Sequence, residues 1–128
     1  MPDPANETLA LTRQLLDCIM SGDWKTYSDL CDESLTAFEP ESAGQLVPGL
    51  AFHKFYFDRG AGGGPRQATM CSPHVRLMGD VAVVSYVRLN QKLDPSGQPV
   101  TAAFDETRIW QRKDGRWKHV HFHRSVAK

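Results

Sequence analysis

The sequence predicts an α+β domain: a long N-terminal helix and shorter helices packed on a strongly curved antiparallel sheet. Three observations predict it. From Asn6 to Asp58 the apolar residues recur mainly at helical spacing. From Arg66 to Ser125 the chain is four long runs rich in Val, Thr, Tyr, Phe and Trp, separated by turn residues. The 128 residues, 41% hydrophobic and 23% charged, are enough for one core and too few for two. Residues 1–6 are expected to be a tail and 7–128 a single domain.

The elements follow in order. Asn6 is placed to cap a helix whose Leu9, Leu15, Leu16, Ile19 and Met20 share a broad face. Ser21-Gly22-Asp23 stops it, and Asp23 caps a second helix, about Trp24 to Cys31, with Trp24, Tyr27 and Leu30 on one side. A short strand, Leu35–Glu39, leads into a loop at 40–44 and a brief strand at 45–47. The aromatic stretch Leu50–Asp58 reads as a third helix. Arg59–Pro65 is Gly-rich but lacks the trailing Gly-Lys-Ser/Thr of a phosphate loop, so it reads as a surface connection. The strands Arg66–Met78, Val81–Lys92, Val100–Arg112 and Arg116–Ser125 are joined by Gly79-Asp80, Asp94–Gly97 and Lys113–Gly115, each short enough for a hairpin.

Composition excludes several functions. Fifteen basic against fifteen acidic residues leave no surplus for a general nucleic-acid binder. No apolar run approaches a membrane span, and Met1–Glu7 carries no secretory pattern, so a cytoplasmic location is expected. Cys18, Cys31 and Cys71 are odd in number and far apart, which fits reduced thiols rather than a disulfide framework or zinc site. No nucleophile elbow, zinc helix or other catalytic signature is present, and no cofactor is expected.

Strand alternation then sorts the side chains. Tyr86, Arg88 and Asn90 share one face; so do Glu106, Arg108 and Trp110; Phe122 and Arg124 lie with Val120, leaving His119, His121 and His123 on the opposite side. Arginines flanked by apolar neighbours need acceptors if buried. Glu106, Glu39 or Asp105 are candidate internal partners; exposure is the alternative, and so is an anion pocket in which guanidinium forks meet a ligand carboxylate. The His-x-His-x-His run spaces imidazoles for a bridging metal but has no accompanying third-ligand motif, so no metal site is assigned. His53, alone in its helix, reads as a hydrogen-bonded packing residue.

The ordered blocks Gly22-Asp23-Trp24, Leu35–Glu41, Phe52–Phe57, Leu77–Asp80, Tyr86-Val87-Arg88, Glu106–Trp110, Arg112–Trp117 and Val120–Ser125 resemble the association, or hub, domain of calcium/calmodulin-dependent protein kinase II. The resemblance runs from about Glu7 to Ser125. It implies a cone-shaped nuclear transport factor 2-like fold. It also implies self-assembly, as dimers joined into two stacked rings of about 10–20 subunits, which in the kinase gathers fused catalytic domains. The family pocket for small carboxylates of the hydroxybutyrate type maps onto Tyr27, His53, Arg88, Arg108 and Arg124. Outer-face packing between subunits would then absorb His121 and His123. The same fold also houses isomerases, dehydratases and polyketide cyclases, so a small enzyme using the same cone is the alternative function. Departures from the family pattern include the Gly60–Gly64 loop, Lys54, Arg76 and the added His119.

Overall fold

A computed structural model describes residues 3–59 and 64–127. Three α-helices pack on one six-stranded mixed sheet. The first helix, α1 (Pro4–Ser21), begins earlier than the sequence suggests. Asp3, not Asn6, is its cap: the Asp3 carboxylate accepts from the Ala5 N–H at 3.0 Å, and Pro4 occupies the first turn, where its missing N–H costs nothing. Gly22 ends α1 in the left-handed region at φ 73°. Asp23 caps α2 (Trp24–Leu30) as expected, accepting from both the Thr26 N–H and its hydroxyl.

β1 (Cys31–Phe38) starts directly at the end of α2, so the short strand expected at Leu35 is longer. A 3-10 turn, η1 (Pro40–Ser42), replaces the expected loop and leads to β2 (Val47–Pro48). The third helix is α3 (Ala51–Asp58). The surface connection expected over Arg59–Pro65 lies outside the described residues at 60–63. The long strands β3 (Arg66–Met78), β4 (Val81–Leu93), β5 (Pro99–Lys113) and β6 (Arg116–Val126) form the expected antiparallel meander. The sheet order is β2-β1-β6-β5-β4-β3, and β1 joins β6 in parallel. The chain between β1 and β6 is long enough for the crossover that a parallel pair requires.

Pairing shifts at three places: between Cys31 and Thr36, between Cys71 and His74, and between Ile109 and Trp110. Such bulges bend and twist a strand, which lets the sheet wrap the helices. The third shift corrects the expected parity of β6. Ile109 faces His121 and Trp110 faces His119, so Val120 is the extra residue. Alternation resets there. His119 turns inward, fully buried and stacked on Phe122 at 5.6 Å, while His121 and His123 stay outside.

The core is Leu15, Leu16, Leu35, Ala37, Ala82, Val84, Trp110 and Phe122, with Tyr27 and Tyr86 at its edge. The buried stripe of α1 includes Thr8 and Thr12 rather than Leu9 and Met20. A buried indole needs an acceptor: Trp110 Nε1 donates to Thr12 Oγ1 at 2.9 Å, and that hydroxyl donates to the Thr8 carbonyl at 2.8 Å. α1 leans on β3 and β4, and α2 on β1 and β6, leaving the inner face between α2, α3, β4, β5 and β6 for a cavity.

Candidate functional site: an arginine-lined cavity

Register brings the charged strand residues together. Tyr86 pairs with Glu106 across β4 and β5, and Glu106 pairs with Arg124 across β5 and β6. Arg88 and Arg108 lie one inward position away on their own strands, so all five share the inner face. From the opposite side come Tyr27 of α2 and His53 of α3. Glu39 and Glu41 enter from the end of β1 and from η1. Arg88, Arg108, Arg124, Tyr27, His53, Glu39 and Glu41, with neighbouring apolar side chains, line a cavity of about 220 Å³, and Tyr86 and Glu106 lie behind the arginines.

At the floor, Glu106 is fully buried and bound on both oxygens. Tyr86 donates its hydroxyl proton to Oε1 at 2.5 Å, Arg108 Nη2 donates to Oε1 at 3.1 Å and Arg88 Nη1 donates to Oε2 at 3.1 Å. Arg88 Nε donates to Asn90, and Arg108 Nε donates to the Tyr86 hydroxyl oxygen at 2.8 Å. Of the partners the sequence offered for these arginines, Glu106 is the one used; Asp105 is exposed. Burial would raise the Glu106 carboxyl, but the charges of Arg108 and Arg88 outweigh it and hold it below the ordinary carboxylate value. Burial opposes the Arg108 charge too, and Tyr86 and Glu106 overcome it, so Arg108 stays cationic. Its guanidinium sits 4.4 Å over the Phe122 ring. One donor is left over: Arg108 Nη1 is buried without a partner.

His53 and Glu39 form the second cluster. His53 Nδ1 lies 3.7 Å from Glu39 Oε1, and His53 Nε2 is buried and unpartnered. The distance alone suggests an ion pair, but the charges do not. Burial and the Arg108 charge push the His53 imidazolium down to about 4. Burial lifts Glu39 to about 7, against the pull of Arg124. At neutral pH this is a neutral imidazole beside a carboxyl near its midpoint. Tyr27 walls the site, tilted against Phe57 at 4.9 Å, and burial keeps its phenol protonated.

The third cluster is at the rim. Arg124 Nη2 donates to both oxygens of Glu41, with the two side chains 13% and 38% exposed, and its guanidinium lies 4.8 Å from the Phe104 ring.

The structure therefore brings Tyr27, His53, Arg88, Arg108 and Arg124 to one cavity. Sequence reasoning underweighted the acidic side of the site. Glu106 and Glu39 entered only as possible ion-pair partners, and Glu41 not at all. The parity that placed Arg108 inward also placed Glu106 there, and that signal was available; nothing in the sequence aims Glu41 at Arg124. The histidine run does not act together, because His119 is inside. His119 Nδ1 lies 3.4 Å from Cys31 Sγ, and burial pushes that thiol up to about 12, so the pair is a packing contact and not a nucleophile with its base. Among the described residues no group of three or more His, Cys, Asp or Glu is placed to hold a metal ion.

Residues 4–128 match the family described as the calcium/calmodulin dependent protein kinase II association domain. The chain belongs to that family. It is 47% identical over 122 residues to the delta subunit of rabbit (Oryctolagus cuniculus) calcium/calmodulin-dependent protein kinase type II, which takes in 93% of this chain and 23% of the subunit. The chain thus spans about a quarter of that relative, and the stretch shared is the association domain rather than the kinase. The solved structure of the Chlamydomonas reinhardtii hub homology domain of the same kinase superposes with a TM-score of 0.93 at 47% identity, covering 99% of this chain and 100% of the other. At the level of fold alone, a nuclear transport factor 2-like protein from Cytophaga hutchinsonii superposes with a TM-score of 0.82 at 18% identity, covering 98% and 100%. The nuclear transport factor 2-like fold and the association-domain role expected from the sequence both stand. The role that the family's description gives the chain is association, that is, oligomerisation. Among the described residues no helix is long and apolar enough to cross a membrane.

Proposed function

We propose that this association domain is a self-assembling hub, stacked into rings of about 10–20 copies, whose inner cavity binds a small carboxylate. The single observation that carries the pocket is the convergence of its unspent donors. Arg108 Nη1 and His53 Nε2 are both buried, both without partners, and both belong to residues lining one cavity of about 220 Å³. Buried polar groups are normally satisfied: Arg108 Nη1 is a donor that an anion would complete, and His53 Nε2 donates to the same anion in the tautomer that carries its proton there. Three guanidinium charges against Glu106, Glu41 and a partly ionised Glu39 leave the site with a net positive charge, which favours an anion.

The outer face of the sheet supports assembly. Along β4, Ala82, Val84, Tyr86 and Arg88 are buried, while Val81, Val83, Val87 and Leu89 between them are only half-buried. Among the described residues no helix covers that apolar row, and copies of the chain would. Fused or associated kinase domains would be the cargo of such a ring, and a cytoplasmic location fits it. Glu39, raised to about 7 beside a neutral His53, is the one feature an isomerase-type site would share. The excess cationic charge around it suits holding an anion better than taking a proton from one.

Native mass spectrometry at micromolar protomer tests the assembly: a ladder converging on one large even subunit number is expected, and a clean monomer rejects it. Calorimetric titration with 4-hydroxybutyrate tests the pocket. Saturable binding that Arg108→Gln abolishes is expected; binding indifferent to Arg108 rejects it.

A further inference from the structure

The three arginines differ in what already occupies them. Arg88 and Arg108 share Glu106, whose side chain is wholly buried and bound on both oxygens. Displacing that carboxylate would strand it, and a buried unpaired charge is among the costliest things a fold can contain. Arg124 is held differently. Its partner Glu41 sits on the 3-10 turn η1, over a third exposed, and contacts Arg124 through a single nitrogen, Nη2. A Glu41 carboxylate that leaves Arg124 rotates into water and loses little. Arg124 is therefore the arginine that an incoming carboxylate can win.

We infer that Glu41 is a built-in competitor: its carboxylate holds Nη2 of Arg124, a ligand carboxylate that takes the two-pronged Nη1–Nη2 edge of that guanidinium must displace it, and Glu41 thereby sets the affinity of the cavity and its preference for ligands. This rests on the carboxylate reading of the cavity. Glu41, Arg124 and Arg108 all line that cavity, so a carboxylate that reaches Arg124 enters the same space as Arg108, whose Nη1 has no partner. The competition also explains a selectivity. A neutral ligand gains nothing from freeing Arg124 and is indifferent to Glu41, whereas an anion is penalised by it.

The test is a calorimetric double-mutant cycle on the full chain with 4-hydroxybutyrate as probe and its uncharged amide as control. Glu41→Gln, which keeps shape and removes charge, is expected to tighten 4-hydroxybutyrate binding by about fivefold and to leave the amide unchanged. In an Arg124→Gln background the same substitution is expected to do nothing. Glu41→Asp, one methylene shorter, is expected to fall between wild type and Glu41→Gln, and serves if the Gln variant is poorly folded. Equal affinity of wild type and Glu41→Gln, with Arg124→Gln still weakening binding, overturns the competitor and leaves the cavity reading standing. Tightening that persists without Arg124 also overturns it, because general charge removal then explains the gain. If neither wild type nor Glu41→Gln binds 4-hydroxybutyrate at all, the cavity reading fails and the competitor fails with it.

Discussion

The floor and the rim of the cavity are built from the same two chemical groups, yet the structure asks different things of them. At the floor Glu106 meets Arg88, Arg108 and Tyr86 with its side chain wholly buried; at the rim Glu41 meets Arg124 with 38% of its side chain exposed. The floor carboxylate is part of the fold, since every atom it would leave behind is buried. The rim carboxylate can be exchanged. A carboxylate–guanidinium pair is thus structural or exchangeable according to what water can reach, not according to its geometry.

The sharpest way to break the contrast is Glu106→Ala. It leaves two buried guanidiniums without a counter-charge and the Tyr86 hydroxyl without its acceptor, and should cost about 3–5 kcal/mol of unfolding free energy. Urea denaturation at fixed protomer concentration reads it. A loss below ~1 kcal/mol would mean that the floor is as exchangeable as the rim. Glu106→Gln should recover part of the loss by accepting from Tyr86 while still failing to neutralise Arg88 and Arg108.

An intermediate effect comes from the cluster between floor and rim. Glu39 is raised from its ordinary 4.5 to about 7, so its contribution is fully present below pH ~4.5 and fades as pH rises through 7. His53 is lowered from 6.5 to about 4, and His119 well below 6.5, both by burial and then by the Arg108 charge. Both are stable as neutral rings, so their contribution is present above pH ~6.5 and is lost on acidification. Between pH 4.5 and 6.5 the slopes of these two buried histidines, with a smaller share from the partly exposed His121, which burial also lowers, therefore oppose one glutamate slope. Wild-type stability should rise with pH at about one proton's worth, ~1.4 kcal/mol per unit. Glu39→Gln should roughly double that slope, and His53→Gln should nearly flatten it. Urea midpoints across that window decide; parallel curves for the three proteins would refute the pairing of neutral His53 with a near-neutral Glu39.

How much of this was legible beforehand depends on what determined each feature. The four long strands were readable because turn chemistry and β-rich runs agree locally. Alternation groups Arg88 with Tyr86 and Arg108 with Glu106 on their own strands, and that grouping holds because no pairing irregularity interrupts β4 and β5 where they meet. His119 was misplaced because a bulge is a long-range pairing event: Val120 is extra only relative to Ile109 and Trp110, and nothing in the local run of β6 announces it. Asn6 reads as the cap because the leucines of the apolar stripe begin only at Leu9. Thr8 and Thr12, which Trp110 requires, look polar in sequence and extend the buried face a turn earlier. The parallel junction of β1 with β6 joins segments some ninety residues apart (Cys31 with His119) and has no local signal at all. Glu41 shares that difficulty, since its partner lies on β6.

The smallest effect closes the contrast from the rim. Glu41→Gln should change unfolding free energy by about 0–1 kcal/mol, the ordinary worth of a pair with one partner over a third exposed. For a chain of this size that is a melting shift of no more than about 4 °C. The shift should shrink as salt is raised to ~1 M, where the screening length falls to ~3 Å, whereas the Glu106→Ala loss should persist because its charges are out of reach of ions. A salt-insensitive Glu41 effect of floor-like size would place Glu41 among the structural carboxylates and remove the basis for its exchange. If the effect is small and screened, removing Glu41 leaves the fold nearly as it was, so any accompanying gain in anion affinity is attributable to the freed Arg124.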